Sequence, residues 1–324
     1  MRTTSSVRPQ RAHVQNRGFW WVTGAAILWG TIGVATQAIF TVDQSSSLFI
    51  NFGRLAIAAP IMAAACWRQM GRRMLVIPRR DFWLMMLNGS FLAISQAAYF
   101  AAIREIGVTL STLLTICVSP LVVTALSVLM RRESLTGRVV VALLLALSGG
   151  ALLVGFPTTS GSGEAWGAGI GFALFAAFTY AIALQAGRFL ARDYHPLQVT
   201  TMTFSAGAVV LLVVNVVGGT VILQTAQGWA LLIYLALVPT ALAYGLFQTG
   251  LRSVSATSAS IISMLDPLVA ALLAWVLFGE TLSVTGMMGG LLMLGSMGLL
   301  MADPSGGAST STEAVTVQDS QNTL

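Results

Sequence analysis

The chain has 324 residues, of which 56% are apolar and only 9% charged, where a soluble domain carries about 25% charged residues. A mean hydropathy of +0.82 makes water the wrong medium for most of this surface and excludes an ordinary soluble domain. The net charge of +6 comes from 17 basic residues, all arginine and set in short turns between apolar blocks, which points to membrane topology rather than to a nucleic-acid partner.

Residues 1–17 form a tail whose first part, Met1–Asn16, is polar and reads as disordered. Apolar blocks then follow one another, each near the 17–25 residues that carry a helix across about 30 Å of hydrocarbon. Helices are the forced choice, because lipid satisfies no free backbone N–H or C=O. The blocks predict ten spans: Gly18–Phe40, Leu48–Trp67, Phe82–Ile103, Val108–Met130, Arg138–Phe156, Trp166–Gly187, Leu197–Val217, Trp229–Thr249, Ala256–Phe278 and Thr285–Met301. Only Arg104–Gly107 separates the third from the fourth. Residues 303–324 form a second polar tail, read as disordered. The first block is too long for a cleaved signal peptide and is followed by further spans.

An even number of spans puts both tails on one side, and the arginines indicate which. With the termini inside, the inner face receives Arg2, Arg8, Arg11, Arg17, Arg68, Arg72, Arg73, Arg79, Arg80, Arg131, Arg132, Arg138, Arg188, Arg192 and Arg252, while the outer face keeps only Arg104 and Arg54 lies within a span. That is a strong positive-inside bias, and adding or removing one helix would scramble it. Trp20, Trp21, Trp67 and Trp83 fall at the inner interface, Trp166 and Trp229 at the outer one. The expected location is a bacterial inner membrane with cytoplasmic termini.

Shifting the chain by 147 positions superposes Ser111 on Ser258, Pro120 on Pro267, Leu121 on Leu268, Val122 on Val269, Glu133 on Glu280 and Leu135 on Leu282. Serine, Pro-Leu-Val and glutamate at fixed offsets are a duplication signal that leucine matches alone are not. Each unit, 18–156 and 166–302 with an outer linker at 157–165, holds five spans, so the second enters the membrane from the opposite side. The fold class is therefore all-α and polytopic, two inverted five-helix repeats, an arrangement suited to alternating access around a central site. Gly149–Gly150, Gly286 and Gly290 permit close helix packing. Pro120 and Pro267 each remove a mid-span hydrogen bond and predict a kink.

Polar residues inside spans need partners or a water-filled cavity. Arg54 lies about two turns below the outer end of its span, placed to reach outward to water, to pair with a carboxylate of the protein, or to hold a substrate carboxylate. Asp266, near the middle of span nine, is placed to cap the groups freed by Pro267, to pair with an arginine, or to bind a proton or an amine. Trp29, Gln37, Gln96, Tyr99, Ser111, Tyr180, Gln185, Tyr244, Gln248 and Ser258 are candidates for a cavity lining or for helix–helix hydrogen bonds. Glu133 and Glu280 sit beyond their spans and suit helix capping. Cys66 and Cys117 are isolated thiols, and neither His13 nor His195 has a metal-site or triad spacing. The reading is a non-enzyme with no cofactor and no metal; Asp266 leaves proton coupling open. The partners are a small metabolite and membrane lipid, with no nucleic acid, and the oligomeric state stays open, a monomer included.

The stretches AAILWGTIGVATQAI and FGRLAIAAPIM, with SPLVVTALSVLMRRESLTG matched by DPLVAALLAWVLFGETLS, resemble the drug/metabolite transporter superfamily, specifically its ten-helix exporters built from two EamA domains. The resemblance covers about residues 18–302 and is nearest to the YddG-like aromatic amino acid exporter branch. It implies secondary active or facilitative export of aromatic and other neutral amino acids, with Asp266–Pro267 at the acidic-proline step of the second domain and Ser119–Pro120 as its uncharged counterpart. It also implies a substrate enclosed between spans one, three, four and six and their counterparts eight and nine. Carriers of drugs, nucleosides or sugars share the pattern; a channel or a scaffold is the alternative of another class.

Overall fold

In the computed structural model, residues 7–43, 45–130, 135–155, 164–218, 223–278 and 283–302 are described. Ten helices are long and apolar enough to cross a membrane: α1 (Arg17–Val42), α2 (Ser47–Leu75), α3 (Arg79–Gly107), α4 (Leu110–Leu129), α5 (Gly137–Val154), α6 (Ala165–Asp193), α7 (Pro196–Gly218), α8 (Ala226–Gly250), α9 (Ala256–Leu277) and α10 (Val284–Met301). All ten expected spans are present, and the described residues contain no strand. Glu133, Glu280, Arg131, Arg132 and residues 303–324 lie outside the described residues.

One difference concerns the first tail. The helix that carries α1 begins at Val7, inside the segment expected to be disordered. Its proline, Pro9, falls in the first helical turn, where a missing N–H costs little because that donor has no intrahelical partner anyway.

The starts of later helices are capped by serine and threonine hydroxyls, which accept orphan backbone donors. Ser46 accepts from Phe49 N at 3.2 Å, Thr136 from Val139 N at 3.4 Å, Thr225 from Gly228 N at 3.0 Å, Ser255 from Ser258 N at 3.0 Å and Ser283 from Gly286 N at 3.0 Å. Thr136 and Ser283 stand one repeat offset apart, so even a cap is duplicated. The narrow join between α3 and α4 turns at Gly107, whose φ of +78° is the only non-helical backbone in the run Arg79–Leu129 and suits a residue with no Cβ.

The repeats exchange helices. α1 of the first packs on α8 and α9 of the second, α6 of the second packs on the α3–α4 run of the first, α2 packs on α7, and α5 on α10. The α5–α10 crossing is closest at Gly149 and Gly289, where a Cβ on either would sit 2.6 Å or 2.5 Å from the other's carbonyl oxygen. Gly290 meets Leu268 and Gly150 meets Met264 instead. Large apolar side chains remain exposed around the bundle, Leu144, Val216, Val276 and Leu291 among them, with Trp20, Trp21, Trp67, Trp83 and Trp229. Lipid is the solvent that suits this surface.

The prolines behave unequally. α9 divides into Ala256–Ser263 and Leu265–Phe278, because Pro267 has no N–H for the Ser263 carbonyl and Met264 N turns to Ile261 O at 3.1 Å. Helical backbone runs through Pro120 without a break, so the expected kink there is at most a bend. A third proline, Pro239, lies in a π-helical segment of α8, Ala236–Leu242. It cannot donate to Leu235 O, and the Thr240 hydroxyl donates to that carbonyl instead at 2.7 Å.

Candidate functional site

Seven of the expected polar residues, Trp29, Arg54, Tyr99, Tyr180, Tyr244, Gln248 and Asp266, converge on the interior of the bundle. Trp29 of α1 is buried and lies against two rings of α8, Tyr244 and Phe247, with centroids 4.9 Å away in each case. Tyr244 meets Phe204 of α7 edge-on at 5.1 Å. Such pairs contribute roughly 0.5–1.5 kcal/mol each beyond the area they bury, so the rings form a firm wall. Tyr180 of α6 completes it.

A cavity of about 40 Å³ opens against this wall, lined by Trp29, Tyr180, Tyr244 and Gln248 together with Asn88, Thr203 and the rings of Phe204 and Phe247. It has space for roughly three waters. Gln248 is held by its Nε2 donating to Gly187 O at 2.8 Å, and Asn88 by Nδ2 donating to Thr203 Oγ1 at 3.1 Å. Trp29 Nε1 and Asn88 Oδ1 are buried and have no hydrogen-bond partner. A donor and an acceptor without partners in one cavity wall are unusual, since most buried polar atoms in folded proteins are paired.

The remaining members of the cluster are Arg54, Tyr99 and Asp266. Asp266 lies within electrostatic range of Arg54, Tyr99, Tyr180 and Tyr244. Its side chain is partly buried. Arg54 is 4% exposed, and its Nε has no partner. Tyr99 hydroxyl bonds Thr112 Oγ1 at 2.6 Å, joining α3 to α4. Gly30 of α1 presses on the break in α9, since a Cβ there would lie 2.9 Å from Asp266 O and 2.5 Å from Val269 Cβ.

Other candidates lie elsewhere. Gln37 is exposed near the end of α1. Ser111 donates to Gly107 O at 2.7 Å, and Ser258 meets its own N-cap, Ser255, at 3.0 Å. Gln185 joins α6 to α4 through Val123 O at 3.1 Å and the Ser127 hydroxyl. Gln96 is half-buried in α3. The sequence reading passed over Asn88, Thr203, Phe204 and Phe247; a short polar residue or a phenylalanine in an apolar block carries no mark of the face it presents.

Two polar ties at opposite ends of the bundle hold the exchanged helices. Asp43, after α1, accepts from Gln224 N and Thr225 N at 2.8 Å each and from Thr225 Oγ1 at 3.0 Å, at the start of α8. Tyr194, after α6, donates to Asp81 in the first turn of α3. Burial, that bond and the charges of Asp81 and Asp193 push the Tyr194 hydroxyl up to about 12. The neighbouring His195 is shifted down by burial and by Arg252.

Comparison with known proteins agrees with this architecture. A solved structure superposes with a TM-score of 0.76 at 19% identity, covering 87% of this chain and 95% of its own, which is a likeness of fold. An uncharacterized transporter of Archaeoglobus fulgidus is 31% identical over 278 residues, 86% of this chain and 93% of its own length. The uncharacterized inner membrane transporter YicL of Salmonella typhimurium is 29% identical over 286 residues, 86% and 93%, and the uncharacterized transporter YwfM of Bacillus subtilis 27% over 277, 86% and 90%. Residues 16–155 and 167–302 each match the EamA-like transporter family. With both repeats matched and ten membrane-spanning helices in place, the chain belongs to the EamA-like transporter family and is a multi-pass membrane transporter.

Proposed function

We propose that this transporter exports neutral amino acids, aromatic ones among them, from the cytoplasm by alternating access. The observation that carries the reading is the ring-lined cavity of Trp29, Tyr180, Tyr244, Phe204 and Phe247, with Trp29 Nε1 and Asn88 Oδ1 unpartnered in its wall. Rings offer stacking and shape to an apolar side chain, and a few fixed polar atoms orient the rest of the solute. The break in α9 and the π turn of α8 flank this wall; discontinuous helices at the meeting of inverted repeats are where carriers of this build hold their cargo.

The space is smaller than an amino acid, so loading requires the α1–α8–α9 group and the α3–α4–α6 group to part. Opening first toward one side and then toward the other would deliver the solute across the membrane. Asp266, near mid-membrane, serves this cycle as a proton site on the return leg. The arginine distribution supports cytoplasmic termini, and the inner-membrane description of the Salmonella relative supports an inner membrane.

The test is counterflow of labelled phenylalanine, methionine and threonine in liposomes holding the purified protein. Accumulation of one or more is expected. Absence of flux across a broad amino acid panel, with folded and correctly inserted protein, overturns the substrate assignment in favour of a drug, nucleoside or sugar carrier of the same fold. A fluorescent tag on the C-terminus checks the orientation.

A further inference from the structure

Near mid-membrane, the described residues present one cation and one carboxylate. Arg54 stands about 10 Å below the start of α2, and Asp266 about 15 Å into α9, at 1.5 Å per residue. They belong to different repeats and feel each other's charge across the tyrosine cluster. Yet among the described residues they form no ion pair or hydrogen bond with each other, and Arg54 Nε is unpartnered. Two opposite charges held apart in a low-dielectric interior are costly unless something completes them. The carboxylate also sits in the first turn of the second half of α9, where the positive end of the helix dipole meets it.

We propose that Arg54 and Asp266 are the charge-selecting groups of the transport site, and that they choose solutes carrying both a carboxylate and an ammonium group over solutes carrying one. The inference rests on the amino acid reading above and names the feature of the amino acid that is recognised. A zwitterion bridges the gap, its carboxylate toward the Arg54 guanidinium and its ammonium toward Asp266, while its side chain lies against Trp29, Tyr180 and Tyr244. A ligand with only the amine leaves Arg54 uncompensated, and one with only the carboxylate leaves Asp266 uncompensated. Selection of this kind works by rejection as much as by attraction.

The experiment is competition against labelled L-phenylalanine counterflow by three probes with one ring in common: L-phenylalanine, phenethylamine and 3-phenylpropionate. In the unaltered protein, both singly charged probes should compete about 30-fold or more weakly than phenylalanine, the cost of losing one partner of a buried charge pair. Either of them competing within about threefold overturns the proposal, with no variant needed. In Arg54→Gln the ratio should move toward phenethylamine, and in Asp266→Asn toward 3-phenylpropionate, each by about tenfold or more. Folded variants, checked by size exclusion and thermal unfolding, that keep the original ratios mark the two charges as structural and overturn the proposal. Phenylalanine flux in the unaltered protein with unshifted ratios rejects this inference alone; no amino acid flux at all rejects the reading beneath it as well.

Discussion

At the offset that superposes the two repeats, Arg54 meets Thr201, Asp266 meets Ser119, Trp29 meets Ala176, Tyr180 meets Gly33 and Tyr244 meets Ala97. The scaffold positions behave differently: α3 and α8 start at Arg79 and Ala226, α5 and α10 at Gly137 and Val284, both pairs one offset apart. The repeats thus agree where helices begin and differ where the cavity lies. Duplication supplies the frame twice, but two copies of Arg54 or of Asp266 in one small interior would add like charges that nothing there offsets. The site is assembled from one member of each pair, and the contrast extends to the backbone, since α9 breaks at Pro267 while α4 passes through Pro120 and α8 has a proline where α3 has Leu92.

The largest expected effect breaks that contrast at Gly30. Gly30→Leu drives a side chain into Val269 and the Asp266 carbonyl, so counterflow should fall to background and stability by about 1–3 kcal/mol. Its counterpart Ala177 already carries a methyl and is fully buried. Next come the end ties. Asp43→Ala removes three hydrogen bonds to a carboxylate at the start of α8 and should cost about 1.5–3 kcal/mol, measured by thermal unfolding in detergent. Pro267→Ala restores an amide to the broken helix and should lower flux about tenfold by straightening it, whereas Pro120→Ala should stay within about twofold.

The smallest effect concerns Tyr194. Its raised hydroxyl, near 12 rather than the usual value of about 10, means that the folded state favours the protonated form. The contribution of its bond to Asp81 is therefore complete below about pH 10 and fades as pH climbs toward 12. The melting-temperature gap between the parent and Tyr194→Phe should narrow over that range. A gap that stays constant would show the bond to be silent.

The frame was readable in advance because its causes are local: hydrocarbon thickness fixes span length, and the repeat fixes which helices correspond. The short Arg104–Gly107 join was visible as an interruption and became the turn at Gly107. The site was readable only in part, because a residue's facing depends on how its helix is rotated by neighbours. Ser111 and Ser258 look polar in sequence, but their hydroxyls are taken up within their own helices. Gln37 points outward, while Asn88 and Phe204 point in, and no periodicity separates these cases in helices apolar all round. Asp43 was invisible for another reason, since its partners are backbone amides some 180 residues away.

The exchange of helices between repeats also sets a schedule for making the protein. α1 cannot take its final neighbours until α8 and α9 leave the ribosome, and Arg54 enters the bilayer more than two hundred residues before Asp266. At 5–20 residues per second that is a wait of about 10–40 s. During that interval the nascent first half needs temporary company for α1 and its early arginine, from lipid headgroups or from the insertion machinery.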